Sequence, residues 1–301
     1  MFNNCRLCPR NCGINRYNKT GYCRADAKLN LARASLHHWE EPCISGKSGS
    51  GTVFFSGCQL GCVYCQNYGI AKMEVKKEIS EERLVEIYFE LQNKGANNIN
   101  LVTPTHYLPY IISSVKKAKK DGLQIPFVYN CGGYESVESI KMLDGLIDIY
   151  LTDFKYMSPK LAKKYSNAPD YATHCKWATE EMFRQCGKNS FYTANGQNLM
   201  KKGVIVRHLV LPACTGDSKR ILKYLYNTYG DDIYISIMSQ YTPQTDTDDC
   251  KKHPELMRKI TQAEYDDVVN FALELGIKNA YIQSGDSAAE SFIPSFDYSG
   301  L

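Results

Sequence analysis

The chain has 301 residues and a net charge of +4, from 36 Lys and Arg against 32 Asp and Glu. Hydrophobic residues at 44% and charged residues at 23% are globular proportions, which exclude a disordered chain, and so mild a charge argues against nucleic acid or an acidic membrane as partner. The unusual quantity is 13 cysteines.

Residues 1–50 read as irregular. They carry Cys5, Cys8, Cys12, Cys23 and Cys43 and end in the run Ser45 to Gly51, which reads as a flexible connector. Gly46-Lys47-Ser48 imitates the end of a phosphate-binding loop, but Glu41 stands where its first glycine belongs and no strand is expected before it. From residue 51 short apolar runs alternate with longer amphipathic ones. Strands are predicted at Thr52–Ser56, Asn98–Thr103, Ile125–Asn130, Ile147–Thr152, Val204–Leu209 and Ile233–Met238. Helices are predicted at Glu81–Lys94, Pro109–Lys120, Ser136–Leu143, Thr179–Gly187, Asp217–Tyr229 and Thr261–Leu275, the first with Ser80 as N-cap and Leu84, Ile87, Tyr88 and Leu91 on one face.

This alternation implies an α/β fold with parallel strands: a partial (β/α)6 barrel over residues 51–285, a small N-terminal cysteine-rich module over 1–50, and a tail over 286–301 packing on the barrel. A doubly wound sheet is the alternative. The turn after the first strand, Gly57-Cys58-Gln59-Leu60-Gly61-Cys62, lacks that fold's Gly-x-Gly-x-x-Gly signature. In either architecture functional residues belong at the C-terminal ends of the strands.

No apolar signal stretch precedes the first cysteines. The longest uncharged stretch, Ser48 to Ala71, carries too many Ser, Gly, Gln and Asn to sit in hydrocarbon, so no membrane span is expected. A reducing cytoplasm is the expected compartment, where clustered cysteines serve as metal ligands or reactive thiols. The first strand runs into Cys58-x3-Cys62-x2-Cys65. Three thiolates on one tight loop can hold three corners of a [4Fe–4S] cube and leave the fourth iron without a protein ligand. Simple electron transfer normally uses four cysteines, whereas an open iron suits direct binding of a small molecule.

This motif, with Tyr64 before its last cysteine, resembles the signature of the radical S-adenosylmethionine (SAM) superfamily. The resemblance implies a [4Fe–4S] cluster on Cys58, Cys62 and Cys65, SAM chelated at the open iron, and reductive cleavage of SAM to a 5'-deoxyadenosyl radical that abstracts hydrogen. The stretches His37-His38-Trp39-Glu40-Glu41-Pro42, Phe54 to Cys58, Cys65-Gln66-Asn67 and Ser291-Phe292-Ile293-Pro294 are similar, more narrowly, to the pyruvate formate-lyase activating enzyme group. That likeness implies an activase acting on a glycyl radical protein, with an electron donor such as flavodoxin or ferredoxin.

The strand ends supply polar groups for a SAM pocket. Tyr64 belongs to the motif itself. Thr103-Pro104-Thr105-His106 stands where related enzymes read Gly-Gly-Glu; it departs from that pattern, and Thr103 and Thr105 offer hydroxyls and carbonyls instead. Asn130 precedes Cys131-Gly132-Gly133, similar to the Asp/Asn-x-Asn-Gly turn of activases. Asp153 and Lys155, at i and i+2, point to one side of a strand and resemble the activase Asp-x-Lys element. Arg207 suits a carboxylate bidentately. Gln240 follows the sixth strand, where activases keep a polar residue near the adenosine.

Cys5-x2-Cys8-Pro9-x2-Cys12-x10-Cys23 places four more thiols within 19 residues. They suit a closed tetrahedral zinc, a single iron or an auxiliary cluster. Cys131, Cys175, Cys186, Cys214 and Cys250 have no metal spacing. The remaining functional alternatives are a radical SAM enzyme acting on a small molecule or peptide, and a non-catalytic iron–sulfur electron carrier.

Overall fold

All six residues of Ser50–Phe55 are buried, as a strand covered on both faces must be. A computed structural model describes residues 1–194, 196–283 and 294–301. In chain order its elements are β1 (Asn30–His37), α1 (Pro42–Ser45), β2 (Ser50–Phe55), α2 (Tyr68–Ala71), β3 (Lys77–Glu78), α3 (Glu81–Asn93), β4 (Ile99–Val102), α4 (Leu108–Lys120), β5 (Phe127–Cys131), α5 (Val137–Lys141) and β6 (Ile149–Asp153). Then follow α6 (Pro159–Ser166), α7 (Tyr171–Cys186), β7 (Ser190–Ala194), β8 (Gln197–Leu209), α8 (Thr215–Tyr229), β9 (Tyr234–Met238), α9 (Asp248–Lys251), α10 (Gln262–Glu274) and β10 (Ala280–Ile282).

One sheet runs β10-β9-β8-β6-β5-β4-β2-β1-β3, with β7 folded back on β8. β2, β4, β5, β6, β8, β9 and β10 are parallel, and β1 runs antiparallel to both β2 and β3. The register aligns the strand ends: Phe54 opposes Val102, Val102 opposes Asn130, Cys131 opposes Thr152, Asp153 opposes Arg207, and Leu209 opposes Met238. The α/β partial barrel expected from the alternation is thus present, with all six predicted strands and an additional parallel strand, β10, at its edge.

The structure differs from the sequence reading in the N-terminal segment, ahead of the predicted Thr179 helix, and at β8, which begins at Gln197 rather than Val204. Residues 1–50 are not irregular: β1 joins the barrel sheet, and the boundary expected at residue 50 falls within β2. Asn and Ala give β1 little strand preference of its own, so pairing with β2 makes it a strand. The run Ser45 to Gly51 is pinned rather than flexible. Asn98 donates to the Ile44 carbonyl at 2.8 Å, Asn97 to the Ser45 carbonyl at 2.6 Å, and Ser50 donates to Asn98 Oδ1 at 2.6 Å. The helix predicted at Thr179–Gly187 begins at Tyr171, and α6 lies before it. The buried face of α7 includes Tyr171, Cys175, Ala178, Met182 and Cys186, whose small or polar-edged side chains give a faint helical period.

The quoted stretch Ser291-Phe292-Ile293, and residues 286–293 of the expected tail, lie outside the described residues. The described end of the tail packs on the barrel: Phe296 meets Phe54 edge-on at 5.3 Å, and Ala34 N–H donates to the Ser299 carbonyl at 2.9 Å.

Gly133 follows β5 with φ +77°, and a Cβ there would stand 2.1 Å from the Asp153 carbonyl oxygen. Gly122 has φ +96° but nothing within 4 Å. Both Gly→Ala changes meet backbone strain of about 1–3 kcal/mol, but only Gly133→Ala also forces β5 and β6 apart. Denaturant titration of the two variants is expected to show Gly133→Ala as clearly the less stable.

Candidate active site at the strand ends

β2 delivers the chain directly into the Cys58–Cys65 loop through Gly57, whose φ is +97°. A side chain at Gly57 would meet the Cys23 carbonyl at 2.8 Å and His106 Nε2 at 3.0 Å, so glycine is needed both for the turn and for the close approach. Cys58, Cys62 and Cys65 all line one cavity of about 250 Å3 at the C-terminal ends of the strands. Burial, reinforced by the neighbouring Cys62 thiol, pushes Cys58 up to about 11. Burial, with Cys58 and Cys62 beside it, pushes Cys65 up to about 12. Leu60 N–H donates to Cys58 Sγ at 3.4 Å and Ser166 Oγ to Cys62 Sγ at 3.1 Å. Cys131 also lines the cavity, but its thiol donates to Thr152 Oγ1 at 3.4 Å.

The opposite wall is a buried charge network. Arg207 on β8 donates through Nε to Asp153 Oδ1 at 2.9 Å, through Nη1 to Glu40 Oε2 at 3.2 Å, and through Nη2 to Asn130 Oδ1 at 2.7 Å. Lys155 donates to Asp153 Oδ2 at 2.7 Å. Burial raises the Asp153 carboxyl, but Lys155 and Arg207 outweigh it and hold that carboxyl below its ordinary value. Burial would lower Lys155, and Asp153 overrides it in the upward direction. At Glu40 burial prevails over Arg207 and Asn100, so its carboxyl is raised. A guanidinium stays charged throughout, so Glu40 is the titrating member of that pair.

The expected SAM-pocket residues divide clearly. Tyr64, Thr103, Asn130, Asp153, Lys155, Arg207 and Gln240 all line the cavity. The Tyr64 hydroxyl accepts from Tyr156 at 2.7 Å. Thr103 closes β4 with φ +58°, a left-handed backbone that a β-branched residue adopts only under strain. Thr105 does not line the cavity. Its hydroxyl is fully buried and accepts from Gln59 Nε2 and Tyr129 OH, both at 3.1 Å, because the chain turns inward after Pro104. His106 is buried with it, Nε2 lying 2.7 Å from the Ser56 carbonyl, and burial pushes its ring down to about 3.

Sequence reasoning assigned no role to Glu40, Gln66 or Arg10. Glu40 lies in the cavity wall; its signal in the sequence is its place in the stretch His37 to Pro42 that resembles the activating-enzyme group. Gln66 lines the cavity and donates to the Gln240 carbonyl at 3.0 Å. Arg10 holds the cysteine loop from behind. Its Nε donates to the Gln59 carbonyl at 2.9 Å, and its Nη2 to the carbonyls of Leu60 at 3.1 Å and Ser166 at 2.8 Å.

Cys5, Cys8, Cys12 and Cys23 all carry free thiols. Cys12 and Cys23 Sγ both lie near Gly21, and burial raises Cys23, with Cys5 and Cys12 adding to the rise. Among the described residues no group of three or more Cys, His, Asp or Glu is arranged to hold a single metal ion. What the cysteine loop does present is three thiols on a shared cavity with polar strand-end groups opposite, a donor set that fits a cluster with one open iron.

Residues 52–198 match the family model of the Radical SAM superfamily. The matched span begins in β2, contains the cysteine loop and ends at the start of β8. A relative from Methanocaldococcus jannaschii, known as uncharacterized protein MJ0674, is 29% identical over 290 residues, covering 92% of this chain and 75% of its own. SuiB of Streptococcus suis, solved with precursor peptide SuiA, superposes with a TM-score of 0.50 at 12% identity, covering 77% of this chain and 48% of SuiB. Methylornithine synthase (PylB) gives 0.48 at 14%, covering 72% and 59%. The chain spans about half the length of these solved structures, and the likeness to SuiB is one of fold.

Glu41, next to the network residue Glu40, is buried with Oε2 unpartnered, and burial pushes its carboxyl up to about 7. A raised carboxyl favours the folded state while protonated, so this group's contribution to stability falls as pH rises from about 4.5 to about 7. Glu41→Gln removes that loss. Its stability relative to wild type, measured by urea unfolding across this range, is expected to increase with pH and level off above pH 7.

Proposed function

We propose that this chain is a radical SAM iron–sulfur enzyme that reductively cleaves SAM and abstracts hydrogen from a substrate. The observation that carries the reading is the convergence, on one cavity, of Cys58, Cys62 and Cys65 with Lys155, Arg207 and Asn130. The three cysteines would hold a [4Fe–4S] cluster, which when bound supplies the electron that splits the SAM sulfonium to methionine and a 5'-deoxyadenosyl radical. Lys155 and Arg207 supply cationic donors for the methionine carboxylate, and Asn130 an amide within hydrogen-bonding reach of Arg207. Both cations are already paired, so SAM has to share or displace the carboxylates of Asp153 and Glu40. Thr103 offers a hydroxyl on a strained backbone, and Gln240 a polar edge; Tyr64, held by Tyr156, fills the wall beside the cysteines.

The finer reading is that hydrogen is taken from a glycine of a partner protein. Its support is the likeness of Asp153-Phe154-Lys155 and His37 to Pro42 to the activating-enzyme group. An electron donor of the flavodoxin or ferredoxin kind, a second metal or cluster at Cys5, Cys8, Cys12 and Cys23, and a cytoplasmic setting belong to the same proposal. Among the described residues no helix is long and apolar enough to cross a membrane.

Anaerobic reconstitution followed by electron paramagnetic resonance tests the reading. SAM is expected to change the reduced-cluster signal and 5'-deoxyadenosine to form. Cys58→Ser, Cys62→Ser and Cys65→Ser should each bring deoxyadenosine to background, and Arg207→Lys, which loses the fork, should weaken SAM binding about tenfold or more. Iron near four per chain marks one cluster and near eight a second. Cluster-loaded protein that ignores SAM would be an electron carrier, and the proposal would fail. A SAM-responsive enzyme that leaves no glycine radical on any partner would retain the class and lose the activase reading.

A further inference from the structure

The N-terminal cysteines stand outside the cavity: none of Cys5, Cys8, Cys12 and Cys23 lines it. They are nevertheless pressed against the cysteine loop that does. The Cys23 carbonyl is 2.8 Å from the Cβ position of Gly57, and the Tyr22 ring is 3.6 Å from that of Gly61. The Arg10 guanidinium stacks on Tyr22 at 3.8 Å while it binds the Gln59 and Leu60 carbonyls. Cys5 and Cys23 are buried, whereas Cys8 and Cys12 are half-exposed.

The same module is where the charge of the chain resides. Of the first 24 residues five are Arg or Lys and none is acidic, and the other 277 residues are nearly balanced, 31 cations against 32 acids. Arg16 is consumed inside, fully buried and bound to the His106 and Asp26 carbonyls. Arg6, Lys19 and Arg24 are exposed and have no ion pair among the described residues. Among the described residues none of the acids around the module pairs with these three: Asp26 accepts from Lys28 N–H at 2.9 Å, Asp170 accepts from Tyr134 at 2.7 Å and pairs with His174, and Glu135 is buried against Gln59.

Resting on the iron–sulfur function proposed above, we propose that this basic N-terminal module is the docking surface for the electron donor, a small acidic protein carrying a low-potential one-electron centre. SAM and substrate fill the cavity during turnover, so the carrier has to approach the cysteine loop from outside it. The module touches that loop through Cys23, Tyr22 and Arg10 and carries three exposed cations with no ion pair among the described residues. One electron leaves the carrier and one is gained by the iron–sulfur centre of this chain; no bond is made or broken and no proton moves. Complementary charge accelerates such encounters and makes their rate sensitive to salt.

The test is anaerobic stopped-flow reduction of the reconstituted full chain by a reduced flavodoxin of net negative charge, with dithionite as the small-molecule comparison. Arg6→Glu/Lys19→Glu/Arg24→Glu is expected to lower the second-order rate with flavodoxin by about tenfold or more at low salt. The corresponding triple Gln variant should fall between it and wild type. Raising the ionic strength should slow wild type and barely affect the Glu variant. Dithionite rate, iron content and the SAM-induced spectral change should be those of wild type in all of them. A control with the same charge change elsewhere, Lys116→Glu/Lys120→Glu/Lys223→Glu, should reduce at the wild-type rate. An unchanged flavodoxin rate in the first variant, or equal slowing in the control, overturns the proposal. If the Glu variant loses iron, the Gln variant decides by the same comparison. Absence of any SAM response in wild type defeats the enzymatic reading while leaving the docking result to stand or fall on these rates.

Discussion

Arg207 is the residue on which the architecture of the site depends. Its guanidinium joins β8 to Asp153 on β6, to Asn130 on β5 and to Glu40 in the segment after β1. A buried charge without a partner is costly, and so is a buried carboxylate without a cation. The four groups therefore constrain one another. The parallel register that sets Asp153 opposite Arg207 is the same register that brings the strand ends level, so the charges that stabilise the alignment are the charges left facing the cavity. Lys155 extends the network on the cysteine side.

The cysteine loop is held in a comparable way, from two directions. Gln59 is the shared point. Its carbonyl accepts from Arg10, and its side chain donates to Thr105 and Glu135 inside the barrel. Arg10 simultaneously reaches the carbonyls of Ser166 and Asn167 at the end of α6. Leu60 and Tyr64 anchor the loop in the core, and these bonds fix the backbone between them. The first 24 residues therefore bear directly on the geometry of the three thiols, although they contribute nothing to the cavity wall.

Local features were legible and remote ones were not. The Cys-x3-Cys-x2-Cys spacing, the i and i+2 placement of Asp153 and Lys155, and the Ser80 cap each depend on residues a few positions apart, and the structure has each of them in place. Arg207 and Asn130 were legible as strand-end residues because the parallel topology dictates which end carries function. Glu40 and Arg10 were not, since their partners lie 167 and 49 residues away. Thr105 misled for a related reason: it stands in the right loop, but the turn after Pro104 directs it into the core. β1 escaped notice because its strand character comes from β2 rather than from its own side chains.

What the sequence by itself determined is the chemistry: three thiols on one loop after a buried strand, polar residues at successive strand ends, and four further thiols gathered near the N-terminus. Those are matters of spacing and residue type, which short-range geometry converts into structure without help. What only the tertiary structure decided is who faces whom. It gave Arg207 its carboxylates, took Thr105 out of the cavity, bound residues 30–37 into the sheet, and seated the basic, cysteine-rich N-terminus against the back of the cysteine loop. Each of these depends on long-range pairing of buried backbone and charge, whose partners are chosen only when the barrel closes its core.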